Sequence, residues 1–221
     1  MFNGIFNDFG NWVLQLLYWL PGMLIGFVFH EFAHALAADR LGDPTPRMMG
    51  RLTLNPVNHI DPLGFVMLIV AHFGWAKPVM TNPSRYKIKR YGTAIVALAG
   101  PFTNMIMGLL FLMIFLYVSY FGTASQESPI MMILKYAAQI NFVLMAFNLL
   151  PIPPLDGYNI LKDTVLIRVV RRPQALWSFE RYGTLILIAL MFLGPTSFII
   201  SSVMGFFVNH GVQLFSLIFG V

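Results

Sequence analysis

The sequence predicts an all-α polytopic membrane protein with about four to six transmembrane helices and a short membrane-embedded β-like or re-entrant segment. Two observations predict this class. Among the 221 residues, 57% are hydrophobic and only 10% are charged, against about 25% charged in an average globular protein. Long apolar runs also recur, and several are long enough to cross the ~30 Å hydrocarbon core of a bilayer. Because so few charges cannot cover a surface in water, lipid must cover much of this chain.

The first half of the chain contains one clear span and one short apolar segment. The first apolar run, Trp12–Ala38, is long enough to span, and Pro44 and Pro46 prevent its continuation. In the polar stretch that follows, Arg51–Leu54 alternates like a short strand. The next apolar run, Leu63–Phe73, has only eleven residues, which is short for a span and indicates a re-entrant or half-buried segment.

The second half contains two more clear spans and an apolar end. The spans are predicted over Thr93–Phe121 and Ile130–Leu150, and the prolines of the segment Pro151–Gly157 break the chain after them. The last region, Thr184–Val221, is apolar but interrupted at Gly194-Pro195 and at Asn209-His210-Gly211. It is either one kinked span with a tail or two shorter helices.

The distribution of charge predicts the orientation and argues against nucleic acid. Most Lys and Arg residues lie in two loops, 77–91 and 162–181, whereas the linker 122–129 has none. Basic loops between apolar runs are typical of the cytoplasmic side, so the net charge of +5 does not indicate a nucleic-acid partner. The start of the chain, 1–11, has no features of a removable signal peptide. We expect one membrane-embedded domain over residues 1–221.

The residues that carry chemistry lie near the end of the first span. His30-Glu31-Phe32-Ala33-His34 fits the pattern H-E-x-x-H. On a helix, His30 and His34 are one turn apart on one face and can reach one metal ion. Glu31 lies beside them, where it can accept a proton from a water molecule. Ionisable residues inside a span are costly and usually functional; the alternative is a packed, hydrogen-bonded trio without a metal.

A catalytic zinc site needs a third protein ligand. The chain has no cysteine, so a thiolate is excluded. We favour Asp156, because it follows the proline break after the third span, where irregular backbone can direct its carboxylate into the site. The candidates for this ligand are Asp39, His59, Asp61, His72, Asp156 and His210.

Four separated motifs, two of which contain His30, Glu31, His34 and Asp156, make the chain resemble the site-2 protease family of intramembrane metalloproteases, peptidase family M50. The resemblance covers roughly residues 22 to 160. We expect a compact form of this family, without the PDZ or CBS domains of many relatives. The motifs are His30-Glu31-x-x-His34, Asn55-Pro56-x-x-His59-Ile60-Asp61-Pro62, Gly100-Pro101-Phe102-Thr103-Asn104 and Asn148-x-x-Pro151-x-x-Pro154-Leu155-Asp156-Gly157.

The resemblance implies specific roles. His30, His34 and Asp156 would bind one Zn²⁺ per chain, and Glu31 would be the catalytic base. Asn148 matches an asparagine that steadies the oxyanion or the substrate, as an amide donor can; a hydrogen bond between helices is an equal alternative for Asn148. The family also implies strand-like elements in the membrane, for which 51–54 and 75–79 are the predicted segments.

Other residues are assigned structural roles. Gly22 and Gly26 continue the stripe of the two histidines, and Gly100, Asn104 and Gly108 form a second stripe of small or polar residues. Such spacing predicts close helix packing, and we expect the second stripe to pack against the first helix. We expect His59 and Asp61 to make local hydrogen bonds in a turn, and His72 and His210 to be structural.

The predicted function is zinc-dependent cleavage of peptide bonds in or near transmembrane segments of membrane proteins. The partners would be a membrane-protein substrate and the lipid bilayer. The location would be the cell membrane, with the active site toward the cytoplasm. The sequence allows two alternatives. One is a membrane metal-ion transporter, since intramembrane His and Asp also mark ion pathways. The other is a non-catalytic scaffold that resembles a protease.

Overall fold

A computed structural model describes residues 2–71, 74–170 and 173–220. The described residues are mainly helical. A π-helical stretch, Lys162–Leu166, joins two of the helices, and 3₁₀ turns form at Pro56–Asn58 and Pro83–Arg85. The helices are α1 (Phe2–Arg40), α2 (Thr45–Met48), α3 (Pro62–Ala71), α4 (Gly92–Phe121), α5 (Pro129–Asn148), α6 (Asp156–Leu161), α7 (Ile167–Val169), α8 (Pro173–Leu193) and α9 (Pro195–Phe219).

The helices confirm the predicted polytopic membrane class. Within the described ranges, four helical segments are long and apolar enough to cross a membrane: 10–40, 92–121, 129–148 and 196–219.

The last apolar region forms two helices, α8 and α9, rather than one kinked span with a tail. Gly194 has a left-handed backbone (φ 89°) and Pro195 starts α9, so α8 cannot continue through them. Asn209-His210-Gly211, in contrast, lies inside α9.

The core is the meeting of α1, α4 and α5, which pack more extensively against one another than any other helices do. Glycines make this possible, as the two stripes predict. A side-chain carbon at Gly22 of α1 would lie 2.7 Å from Ala137 Cβ of α5, and one at Gly26 would lie 2.7 Å from Leu144 Cδ1. One at Gly108 of α4 would meet the Phe142 ring at 2.7 Å; Phe142 lies in α5, so this end of the second stripe packs against α5 and not against α1 as expected. These distances are below van der Waals contact, so only glycine allows the helices to come this close.

The short apolar segment forms a ten-residue helix, α3, too short to span the bilayer. The β-like pairing beside it is smaller than predicted. In the described residues it is an isolated antiparallel bridge between Ile60 and Ala76, extended by the Lys77 N–H donating to the His59 carbonyl at 2.8 Å.

The prediction of a strand over Arg51–Leu54 is wrong. This stretch contains a bend instead. The Arg51 side chain is only 4% exposed; it turns inward, where its guanidinium donates to the Asn58 carbonyl and lies 3.5 Å from the Lys77 carbonyl. The Arg51 side chain therefore connects the turn at residue 58 to the segment near residue 77, a connection that backbone hydrogen bonds would make in a sheet.

Asp43 anchors the loop that follows α1. It is fully buried, and its carboxylate accepts the backbone N–H of Asn82 at 2.6 Å and the Thr45 hydroxyl at 2.5 Å. Burial alone would raise the pKa of Asp43, but the bonds from Thr45 and Asn82 outweigh it and hold that pKa below its ordinary value. The bond to Asn82 joins the loop after α1 to residues 78–82, most of which line a cavity beside the candidate metal centre.

Candidate metal centre

Two helices and a proline-rich turn bring three metal-binding side chains together. His30 and His34 lie one turn apart on α1, with their Nε2 atoms 3.0 Å apart. Asp156 is the first residue of α6, and its Oδ2 lies 3.2 Å from the Nε2 atom of each histidine. The start of α6 can pack directly against the end of α5 because Gly157 has no side chain. A side-chain carbon there would overlap the Leu149 carbonyl oxygen.

Each imidazole is oriented by a bond on its other nitrogen. His34 Nδ1 lies 2.7 Å from the Val96 carbonyl, which can only accept, so Nδ1 carries the proton. His30 Nδ1 lies 2.5 Å from Asn104 Oδ1. In both rings the second nitrogen, Nε2, then directs a lone pair at the shared space, the usual arrangement of metal-binding histidines.

The donor set fits a divalent metal ion. Asp156 Oδ2 is buried, and the Nε2 atoms of His30 and His34 both lie 3.2 Å from it. Two imidazole nitrogens and a carboxylate oxygen that converge on one space are donor atoms that zinc binds. Their separations of 3.0–3.2 Å are close to the ~3.3 Å edge of a tetrahedron with zinc–ligand bonds of ~2.0–2.1 Å.

Gly100 of α4 makes space for this cluster. A side-chain carbon there would lie 2.5 Å from His34 Nε2 and 2.6 Å from His30 Nε2, the same atoms that point at Asp156. The third sequence motif therefore contributes to the metal centre by leaving room, in addition to packing against α1.

A cavity of about 270 Å³ opens beside the three ligands. Glu31 lines it, half-buried, and its Oε2 accepts the backbone N–H of Val79 at 3.2 Å. Asn148 lines it from the end of α5, where its Nδ2 donates to the Leu144 carbonyl of the same helix at 2.9 Å. The other lining residues are Pro78, Val79, Thr81, Tyr86, Thr93, Val96, Ala97, Pro154 and Asn159.

The remaining candidates for the third ligand lie elsewhere. Asp39 pairs with Arg47 at 2.7 Å. His59 bonds to the Thr53 carbonyl at 2.7 Å and Asp61 accepts the Gly64 N–H at 2.8 Å, which are the local turn bonds expected of them. The exposed His210 bonds within α9 to the Phe206 carbonyl at 2.8 Å. His72 lies outside the described residues.

Sequence reasoning missed two contributors to the site. Val79, whose N–H bonds to Glu31, gave no signal, because any residue except proline supplies a backbone N–H. Asn141 did give one, since a lone amide in an apolar span needs a partner. It is fully buried and bonds to Asn104 at 3.0 Å.

Comparisons with known proteins agree with the four motifs. The sequence profile of peptidase family M50 matches residues 18–127 and 118–194. The chain is 35% identical over 201 residues to YwhC of Bacillus subtilis (strain 168), named as a candidate zinc metalloprotease, across 89% of this chain and 90% of YwhC. It is 31% identical over 183 residues to Rip2 of Mycolicibacterium smegmatis, named in the same way, across 78% of this chain and 65% of Rip2. No solved structure gives a significant match.

The matched residues contain the whole candidate metal centre. The profile runs from residue 18 to residue 194 and so includes His30, His34 and Asp156. Together with the relative that is 35% identical over nine tenths of its own length, this extent confirms the resemblance stated from the motifs. The chain belongs to peptidase family M50.

Proposed function

We propose that this chain is an intramembrane zinc metalloendopeptidase that cleaves peptide bonds in or near transmembrane segments of membrane proteins. One observation carries the proposal: the metal-binding atoms of His30, His34 and Asp156 lie within 4.8 Å of one another, and Glu31 lines the same cavity. Two imidazoles and one carboxylate form a donor set that catalytic zinc sites use, with a fourth position left for water or substrate. The relatives named as candidate zinc metalloproteases support zinc as the metal.

In this mechanism His30, His34 and Asp156 hold one Zn²⁺, which when bound polarises the scissile carbonyl and makes water more acidic. Glu31 supplies the proton transfer. Its carboxylate accepts a proton from a water molecule in the cavity as that water attacks the carbonyl carbon. The same carboxyl group then donates the proton to the nitrogen of the leaving amine. The Val79 N–H on Oε2 leaves Oε1 of Glu31 for this transfer.

The position of the cavity supports a membrane-embedded substrate. Half of its lining residues come from α1, α4 and the end of α5, three segments able to span the bilayer, and the rest come from residues 78–86, the proline-rich turn and α6. We propose that the protein lies in the cell membrane with this cavity toward the cytoplasm. The basic loop 77–91 leads into α4, and the basic segment 162–181, which is helical at 162–169 and 173–181 rather than a loop, follows α6.

Metal removal tests the proposal. Purified protein in detergent should contain about one Zn²⁺ per chain, and a chelator should reduce cleavage of a membrane-protein substrate to background. Added Zn²⁺ should restore cleavage, whereas Mg²⁺ should not, because it prefers six oxygen ligands. Metal flux in proteoliposomes without any cleavage would contradict the proposal and favour a transporter.

We also propose that Asn148 stabilises the negative charge that develops on the carbonyl oxygen. One N–H of its amide donates to Leu144, and the other is available in the cavity. Asn148→Leu should therefore lower kcat by about 10²–10³-fold, the usual cost of losing one such donor, while the zinc content stays the same. Full activity in this variant would leave Asn148 with its bond inside α5 as its only role.

A further inference from the structure

Two buried amides connect the candidate metal centre to the packing of the three central helices. Asn104 of α4 and Asn141 of α5 are both fully buried. Burying an amide costs about 1–3 kcal/mol for each polar group left unpaired, and an apolar side chain would pack such an interface at no such cost. Hydrogen bonds between helices account for part of their role, and the direction in which each amide faces indicates a second role.

The backbone determines which way each amide faces. Asn141 Nδ2 lies 3.3 Å from the Gly22 carbonyl and 2.8 Å from the Ala137 carbonyl. Carbonyls only accept, so the NH₂ group must face them, and Asn141 Oδ1 must face Asn104. A flipped Asn141 would direct its oxygen at two other oxygens.

The orientation of Asn141 in turn determines the orientation of Asn104 and the proton position on His30. Asn104 Nδ2 donates to Asn141 Oδ1 at 3.0 Å and to the Gly26 carbonyl at 3.2 Å. Asn104 Oδ1 is then left to face His30 Nδ1 at 2.5 Å. An amide oxygen only accepts, so His30 must carry a proton on Nδ1, and Nε2 is the ring nitrogen left for a metal.

We propose that Asn141 and Asn104 are positioning residues that hold His30 in its metal-binding tautomer, through a relay that starts at backbone carbonyls of α1 and α5. The inference rests on the proposed metal site. The relay makes metal binding depend on correct assembly of α1, α4 and α5, because Gly22, Gly26 and Ala137 supply the carbonyls that orient it.

Substitutions at Asn104 separate positioning from packing. Asn104→Leu removes the acceptor for His30 Nδ1, and it should weaken Zn²⁺ affinity about 10–100-fold, the usual effect of losing such a partner. Asn104→Asp keeps an acceptor for His30 but loses the donor to Gly26 and Asn141. Its Zn²⁺ affinity should therefore stay within about threefold of wild type, although its thermal stability should fall. Asn141→Leu should weaken Zn²⁺ binding less than Asn104→Leu does.

Zn²⁺ affinity is measured by competition with a chelator, and thermal unfolding of the metal-free protein is measured in parallel. Thr103→Val is the matched control, because the Thr103 hydroxyl bonds only within α4, to Ala99 at 2.9 Å. Equal loss of Zn²⁺ affinity in Asn104→Asp and Asn104→Leu would assign Asn104 to packing alone and overturn the relay. Unchanged affinity in Asn104→Leu would also overturn it.

A measurement on the wild-type protein does not depend on any variant folding. In metal-free protein labelled with ¹⁵N-histidine, the shifts of the two ring nitrogens report the tautomer of His30. We expect a proton on Nδ1; an Nδ1 atom without a proton would contradict the relay. Wild-type protein that binds no Zn²⁺ at all would instead contradict the metal site, and the two failures are thus distinguishable.

Discussion

Glu31→Gln is expected to lower cleavage by about 10²–10⁴-fold, the usual contribution of a general base, while the bound zinc stays near one ion per chain. The amide cannot accept a proton from water at neutral pH. Its oxygen can still accept the Val79 N–H that Glu31 Oε2 now accepts at 3.2 Å, so the segment over the cavity keeps its position. Cleavage of a membrane-protein substrate and metal analysis of the same preparation measure the two effects.

Glu127→Gln is the matched control. Glu127 is exposed, in the linker between α4 and α5, and the same chemical change there should leave both cleavage and zinc unaltered. Cleavage at the wild-type rate in Glu31→Gln would reject the assignment of Glu31 as the base. Loss of zinc in that variant would mean that Glu31 helps to hold the metal.

Gly100→Ala is expected to weaken zinc binding about 10–100-fold and cleavage with it. The added methyl carbon would lie 2.5 Å from His34 Nε2 and 2.6 Å from His30 Nε2, so both rings must move or α4 must shift. Overpacking of this kind usually costs about 1–3 kcal/mol, and 1.4 kcal/mol is a tenfold change in affinity. Chelator competition measures the affinity.

Gly205→Ala provides the comparison. A side-chain carbon at Gly205, in α9, has nothing within 4 Å, and alanine favours a helix over glycine by about 1 kcal/mol. That variant should keep its zinc and unfold at the same or a higher temperature. Wild-type zinc affinity in Gly100→Ala would show that the imidazoles can move aside, and that the third motif serves packing alone.

The main spans could be predicted because each depends on residues close in sequence. The runs behind α4 and α5 have the length and apolar character that a bilayer requires, and the predicted ends agree with the structure to within two residues. The sequence does not decide whether the last region is one kinked helix or two helices, because Gly194-Pro195 is compatible with a kink as well as a break. The prediction of a strand over Arg51–Leu54 was wrong because the alternation of polar and apolar residues cannot reveal that Arg51 turns inward to bind carbonyls.

The sequence by itself determined that His30 and His34 share one helical face with Glu31 beside them, because helix geometry relates residues one turn apart. The sequence favoured Asp156 as the third ligand and a stripe with Gly100 and Asn104 as the packing partner, but only the tertiary structure decided how they meet that face. Asp156 comes from α6, and Gly100 and Asn104 come from α4, two places distant from α1 in the chain. The Val79 N–H and the carbonyls that orient Asn104 and Asn141 are backbone groups. Every residue has a carbonyl and every residue except proline has an N–H. Residue type therefore gives no sign of the role of these groups, which depends on their position in space.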